Sequence, residues 1–206
     1  MNRNILTDFS ALFIIGTNMV PLGGVLFFHW SLFEVVLTYW AETIIVFFYT
    51  HLKLLKLKGP LHLLAIPFSC FFWYGFITIH LFLICGLFGP HGIKFNHHGL
   101  WMSFWPGNLL DYISWDMLTA IFCLFLSHGA EFILNFLGKK QYLADSAKDI
   151  QNNFVYRIMI MQFTLIIGGW LILLFKAPVW GLAVLVMIKI TADLHAYNKH
   201  QNLFYA

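Results

Sequence analysis

The chain has 206 residues, of which 60% are hydrophobic, 19% aromatic and only 10% charged, far below the roughly 25% charge of a soluble domain. A formal net charge of +3 with no basic stripe interleaved with aromatics excludes a nucleic-acid-binding role. The long apolar runs describe an all-α, polytopic transmembrane bundle. No stretch between them is long enough for a separate soluble domain, so residues 1–206 are expected to form a single integral membrane domain.

Crossing a hydrocarbon core takes about 20 predominantly apolar residues. Six segments qualify in chain order: Phe9–Phe28, Phe33–Lys53, Leu63–Phe88, Asp116–Leu137, Phe154–Phe175 and Val179–Tyr197. The first resembles a signal peptide after Arg3, but it lacks a small-x-small cleavage pattern and contains Pro21, so a retained helix is expected. Pro21 should weaken that helix, because proline removes a donor and disfavours helical geometry in the residue before it. Asn18 is placed to satisfy a freed backbone group there, or to line a polar site.

The breaks between segments carry turn chemistry: His29-Trp30-Ser31, Lys58-Gly59-Pro60, Gly89-Pro90, Gly138-Lys139-Lys140 and Lys176-Ala177-Pro178. The connection from Gly89 to Trp115 is rich in His, Trp, Phe and Gly, and is expected to lie along the membrane surface as a cap. The polar Gly138–Asn153 segment reads as a solvated connector.

Orientation follows from Lys and Arg, which accumulate on the cytoplasmic side of short loops. Arg3, Lys53, Lys56, Lys58, Lys139, Lys140, Lys148, Arg157 and Lys199 fall on one side, against Lys94 and Lys176 on the other. Trp30, Trp101, Trp105, Trp115 and Trp180 cluster at the latter, as amphipathic indoles do at interfaces. Both termini are therefore expected in the cytoplasm, and the protein in the inner membrane with the lipid bilayer as its main partner. Homo-oligomerisation and a small-molecule ligand remain open. Cys70, Cys85 and Cys123 lie inside apolar runs and read as small buried hydrophobes. Thr164 and Gly168-Gly169 read as a close helix contact.

Ionisable groups within apolar spans persist only if paired, solvated or used. Counted inward at about 1.5 Å per residue, Glu42, His128 and Gln162 reach similar central depths, with Asn18 comparable and His80 somewhat further out. His128 and Glu131 are spaced to share a face of the fourth helix, with Ser127 beside them. Nearer the cytoplasm, Lys189 and Asp193 share a face of the sixth. Depth matching gives the expected structural ion pairs Arg157 with Asp193 and Lys189 with Glu131. Glu42, His80 and His128 then remain, with Gln162 as a fourth candidate. A carboxylate with two imidazoles can bind a divalent metal, relay protons, or, through the imidazoles, ligate haem. His91, His97 and His98 form a second, surface candidate for metal.

Tyr39-Trp40-Ala41-Glu42, with Asn18-Met19-Val20-Pro21-Leu22, Ser127-His128-Gly129 and the Leu185–Leu194 run, resembles an uncharacterised prokaryotic multi-pass membrane family known as a domain of unknown function. The resemblance spans nearly the whole chain. It implies a histidine on helix five where this chain has Gln162, which removes a ligand from a shared metal site or leaves the amide oxygen in its place. It implies no activity. Three functions stay open: an intramembrane enzyme or redox protein holding metal or haem, a small proton-coupled transporter or channel-like protein, and a structural accessory subunit.

Overall fold

The computed structural model describes residues 16, 18–57, 60–90, 109–143, 146–175, 186–188 and 190–191, all helix, turn or coil with no strand among them. Five α-helices are defined: α1 (Val20–Phe28), α2 (Leu32–Lys56), α3 (Pro60–Phe88), α4 (Trp115–Glu131) and α5 (Ala147–Phe175). Residues 186–188 and 190–191, within the sixth expected span, are also helical.

Pro21 acts as expected. The chain turns at Met19, and a new helix begins at Val20 with the proline in its first turn, where a missing N–H costs nothing. The break is buried at Asn18, 3% exposed. α1 ends at His29, whose φ of 57° is left-handed, and the Trp30 N–H donates back to the Gly24 carbonyl over 3.1 Å. This return lays the Trp30 indole against Gly24, in the space a Cβ would occupy. Trp30, expected at the outer interface, is therefore buried, whereas Trp115 stays exposed.

α2 starts with a reciprocal capping box. The Ser31 N–H donates to Glu34 Oε2 at 2.8 Å, and the Glu34 N–H to Ser31 Oγ at 3.3 Å, which satisfies orphan donors at the helix start. Lys53 and Lys56 complement the dipole in its last turn. Residues Val35 to Trp40 are buried without interruption, and a helix apolar all round belongs in a core. Within its most apolar window 61% of α2 is buried, against 22% for the comparable windows of α3 and α4. α2 is the axis of the bundle.

Contacts along α2 fix the directions of its neighbours. Trp40 Nε1–H donates to the Ile77 carbonyl at 3.0 Å, and farther along α2 His51 meets Ser69, so α3 runs antiparallel. Tyr49 reaches Phe125 and Lys53 reaches Glu131, so α4 runs parallel to α2. Trp73 packs on Phe154 while His80 bonds Gln162, so α5 follows α3.

α4 is capped by Ser114, whose Oγ accepts from the Met117 N–H at 3.2 Å, and continues beyond Glu131 as a π-helical turn, Phe132–Leu137. The Gly138 N–H to Ile133 carbonyl bond of 2.9 Å closes that wider turn. The connector expected at 138–153 is shorter than its polarity suggests. Ser146 and Asp149 form a second reciprocal cap, with Ser146 N–H to Asp149 Oδ2 at 3.3 Å and Asp149 N–H to Ser146 Oγ at 3.2 Å. α5 consequently begins about two turns before the apolar run, and Ile150 packs with Leu54 and Phe136.

Three described helical stretches, Leu32–Lys56, Ser69–Phe88 and Trp115–Leu137, are long and apolar enough to cross a membrane. The bundle also turns large apolar side chains outward: Phe27, Phe71, Ile79, Leu87 and Phe122 are all at least 60% exposed. In water such a surface would aggregate; a bilayer solvates it.

Candidate functional site

The central position of α2 puts Glu42 inside the bundle, 7% exposed. Its partner comes from α4. His128 Nε2 lies 3.7 Å from Glu42 Oε1, and the other ring nitrogen, Nδ1, lies 3.7 Å from Glu131 Oε2. Glu131 Oε1 faces Lys53 Nζ at 3.4 Å. Four side chains from two parallel helices thus form a string, Glu42, His128, Glu131, Lys53. Its inner members are closed off, with side-chain exposures of 9% for Glu42 and 10% for His128, while Glu131 is open at 42%. The imidazole distances are ion-pair distances, beyond a hydrogen bond by a few tenths of an ångström, so a small approach or a bridging water completes either link.

Local chemistry explains why α4 can come this close. A Cβ on Gly129 would sit 2.6 Å from Tyr49 Oη; the glycine clears room for that hydroxyl, which donates to the Phe125 carbonyl at 3.1 Å. Ser127-His128-Gly129 therefore divides its work: a buried hydroxyl residue, the bridging imidazole, and the clearance that seats α4 on α2.

Lys53 was not among the candidate site residues, because it reads as one more topology-setting lysine. It lies three turns beyond Glu42, about 16 Å along the axis, and so returns to nearly the same face. His51, also not singled out, is structural. Its Nδ1–H donates to the Phe47 carbonyl at 2.9 Å, and its Nε2 takes the Ser69 hydroxyl at 3.3 Å. A buried histidine so satisfied joins α2 to α3.

The four residues expected to share one site are divided. His80 is buried in α3, where its Nδ1 accepts from the Gln162 amide Nε2 of α5 and Phe76 packs edge-on to the ring. Glu42 belongs with His128 on the other side of α2. Among the described residues no group of three or more His, Cys, Asp or Glu is placed to hold a metal ion. Cations of the protein also compete for these carboxylates. Glu42 and Glu131 bring two negative charges, Lys53 faces one of them, and Arg157 of α5 lies near enough to act on His128 and Glu131. A divalent cation would have to displace resident cations to use these carboxylates.

Glu131 was expected to pair with Lys189 and Arg157 with Asp193. Lys189 and Asp193 lie outside the described residues, as do His91, His97 and His98. A cavity of about 590 Å³ exists at the opposite end of α2 from Lys53, lined by Ser31, Glu34, Phe88, Asp111, Tyr112 and Ser114 among others. It is remote from the buried string.

A family model described as a family of unknown function, DUF6498, matches residues 1–203. The chain belongs to that family. No curated protein and no solved structure matches the chain. Membership of DUF6498 accordingly brings no reaction with it.

Proposed function

We propose that this DUF6498 member is a six-pass inner-membrane protein that translocates protons through Glu42, His128 and Glu131. The observation that carries this reading is one imidazole set between two carboxylates, each on a different ring nitrogen, inside an apolar bundle. Imidazole is the side chain suited to receive a proton on one nitrogen and release another from the opposite nitrogen near neutral pH. A proton entering at Glu131 passes from its carboxyl to His128 Nδ1, and the proton on Nε2 passes to Glu42. Glu42 then releases its proton toward the opposite face, and a flip or tautomer change of the ring resets the relay. Chains of Glu and His within spans are a recurrent solution for proton movement in membranes.

The reading of six passes with both termini in the cytoplasm is supported by two features. α2 and α4 run one way and α3 and α5 the other, as successive passes must. Lys53 and Lys56 lie at the same end of the bundle as the Lys139-Lys140 turn, Lys56 Nζ standing over the Tyr142 ring at 5.6 Å. Charge balance favours protons over a divalent metal at this string.

The test is proton flux into proteoliposomes under a potassium diffusion potential, followed with an entrapped pH dye. Flux above empty vesicles, removed by Glu42→Gln and by His128→Phe, supports the proposal. Wild-type vesicles no leakier than empty ones refute it.

A further inference from the structure

The outer carboxylate of the string has two oxygens, and they are assigned to different partners. Oε2 faces the imidazole of His128, whereas Oε1 faces the ammonium of Lys53 at 3.4 Å. Glu131 is also the most exposed member of the string, at 42% side-chain exposure against 9% for Glu42 and 10% for His128. The cation is therefore seated at the exposed end of the string. The ammonium is drawn to the ionised carboxylate and repels an incoming proton, so its withdrawal favours proton addition at Oε1.

Lys53 is built to withdraw. It lies in the last turn of α2 on a flexible four-carbon stem, and its side chain is 23% exposed. In the position where it meets Glu131, Nζ also stands over the Phe136 ring, 5.6 Å from its centroid. Phe136 is itself fixed at 1% exposure on the π-helical turn that follows Glu131. Among the described residues, the charged groups bearing on Glu131 are Lys53 of α2, His128 of its own helix and Arg157 of α5. Of these, Lys53 is the one held on Oε1, the free oxygen of the relay.

We infer that Lys53 is the gate of the proton path: its ammonium on Glu131 closes the path, and its movement off the carboxylate into water opens Glu131 to a proton. This inference rests on the proton-translocation reading above. Once the ammonium has left, hydronium gives its proton to Glu131 Oε1. The carboxyl rotates or tautomerises to present the proton to His128 Nδ1, the ring releases its Nε2 proton to Glu42, and Lys53 returns to the ionised Glu131. No oxidant, reductant or other reactant is needed.

A gate and a brace make opposite predictions. If Lys53 gates, Lys53→Gln leaves the path permanently open and raises the initial flux about threefold, the scale set by a partly exposed ion pair. Lys53→Met, which keeps most of the stem without charge, moves flux the same way. Lys53→Arg, whose planar fork holds a carboxylate at two points, lowers it by a similar factor. Adding Glu42→Gln to Lys53→Gln returns flux to that of empty vesicles. The ordering Gln above wild type above Arg supports the gate. Neutral variants at or below wild type, or Arg equal to wild type, overturn it while leaving Glu42-dependent flux intact. Absence of flux in the wild type sinks the translocation reading, and the gate falls with it.

Discussion

Gly129 and Tyr49 offer a sharp test of how α4 is seated on α2. In Gly129→Ala the new Cβ falls 2.6 Å from Tyr49 Oη and 3.4 Å from its Cζ. The hydroxyl is the far end of a side chain, but the ring cannot swing freely: it is 9% exposed and packs against Phe125 and Phe132 with centroids 5.3 and 5.9 Å away. Overpacking of this kind costs about 1–3 kcal/mol, and displacing the hydroxyl forfeits its bond to the Phe125 carbonyl, about 1 kcal/mol. Helix propensity returns about 1 kcal/mol for replacing glycine in a helix interior. The net expectation for Gly129→Ala is a loss of about 1–3 kcal/mol.

Tyr49→Phe alone should cost about 1 kcal/mol. In the double variant the clashing oxygen is gone, and Cζ at 3.4 Å is ordinary van der Waals contact. Tyr49→Phe/Gly129→Ala should therefore be more stable than Gly129→Ala, with a coupling energy of about 2–4 kcal/mol, far above the roughly 0.3–0.5 kcal/mol scatter of independent sites. The cycle is measured by denaturant titration in detergent micelles. Additive single effects would refute the proposed role of Gly129 as clearance for the hydroxyl.

Other positions are open to simpler measurements. Trp40→Phe removes the indole donor from the Ile77 carbonyl and should cost about 1 kcal/mol; an unchanged unfolding midpoint would show that this α2–α3 bond contributes nothing. Gly24→Ala drives a Cβ into the Trp30 ring and should cost about 1–3 kcal/mol, with a change in tryptophan fluorescence as the indole is displaced from its buried seat. Ser146→Ala breaks the cap shared with Asp149 and should cost about 1 kcal/mol, seen as faster amide exchange at residues 147–150, while exchange around Ile158 stays unchanged.

The apolar runs by themselves determined that the chain is helical and where α2, α3 and α4 lie, because hydrocarbon demands unbroken helices of a fixed minimum length. They also determined the break before Pro21 and the buried setting of Glu42. The early start of α5 was legible too, in the Ser146–Asp149 spacing, but the polarity of that stretch masks it. Partners were a different matter. Depth along a span places Glu42, His80, His128 and Gln162 in one layer, yet depth carries no azimuth. Only packing around α2 decided that His80 turns to Gln162 while Glu42 turns to His128. Lys53 likewise carries the sequence signature of topology alone. Its place on Glu131 depends on α2 and α4 running parallel with matched register, a relation between distant segments that the clearance at Gly129 makes possible and that no local pattern encodes.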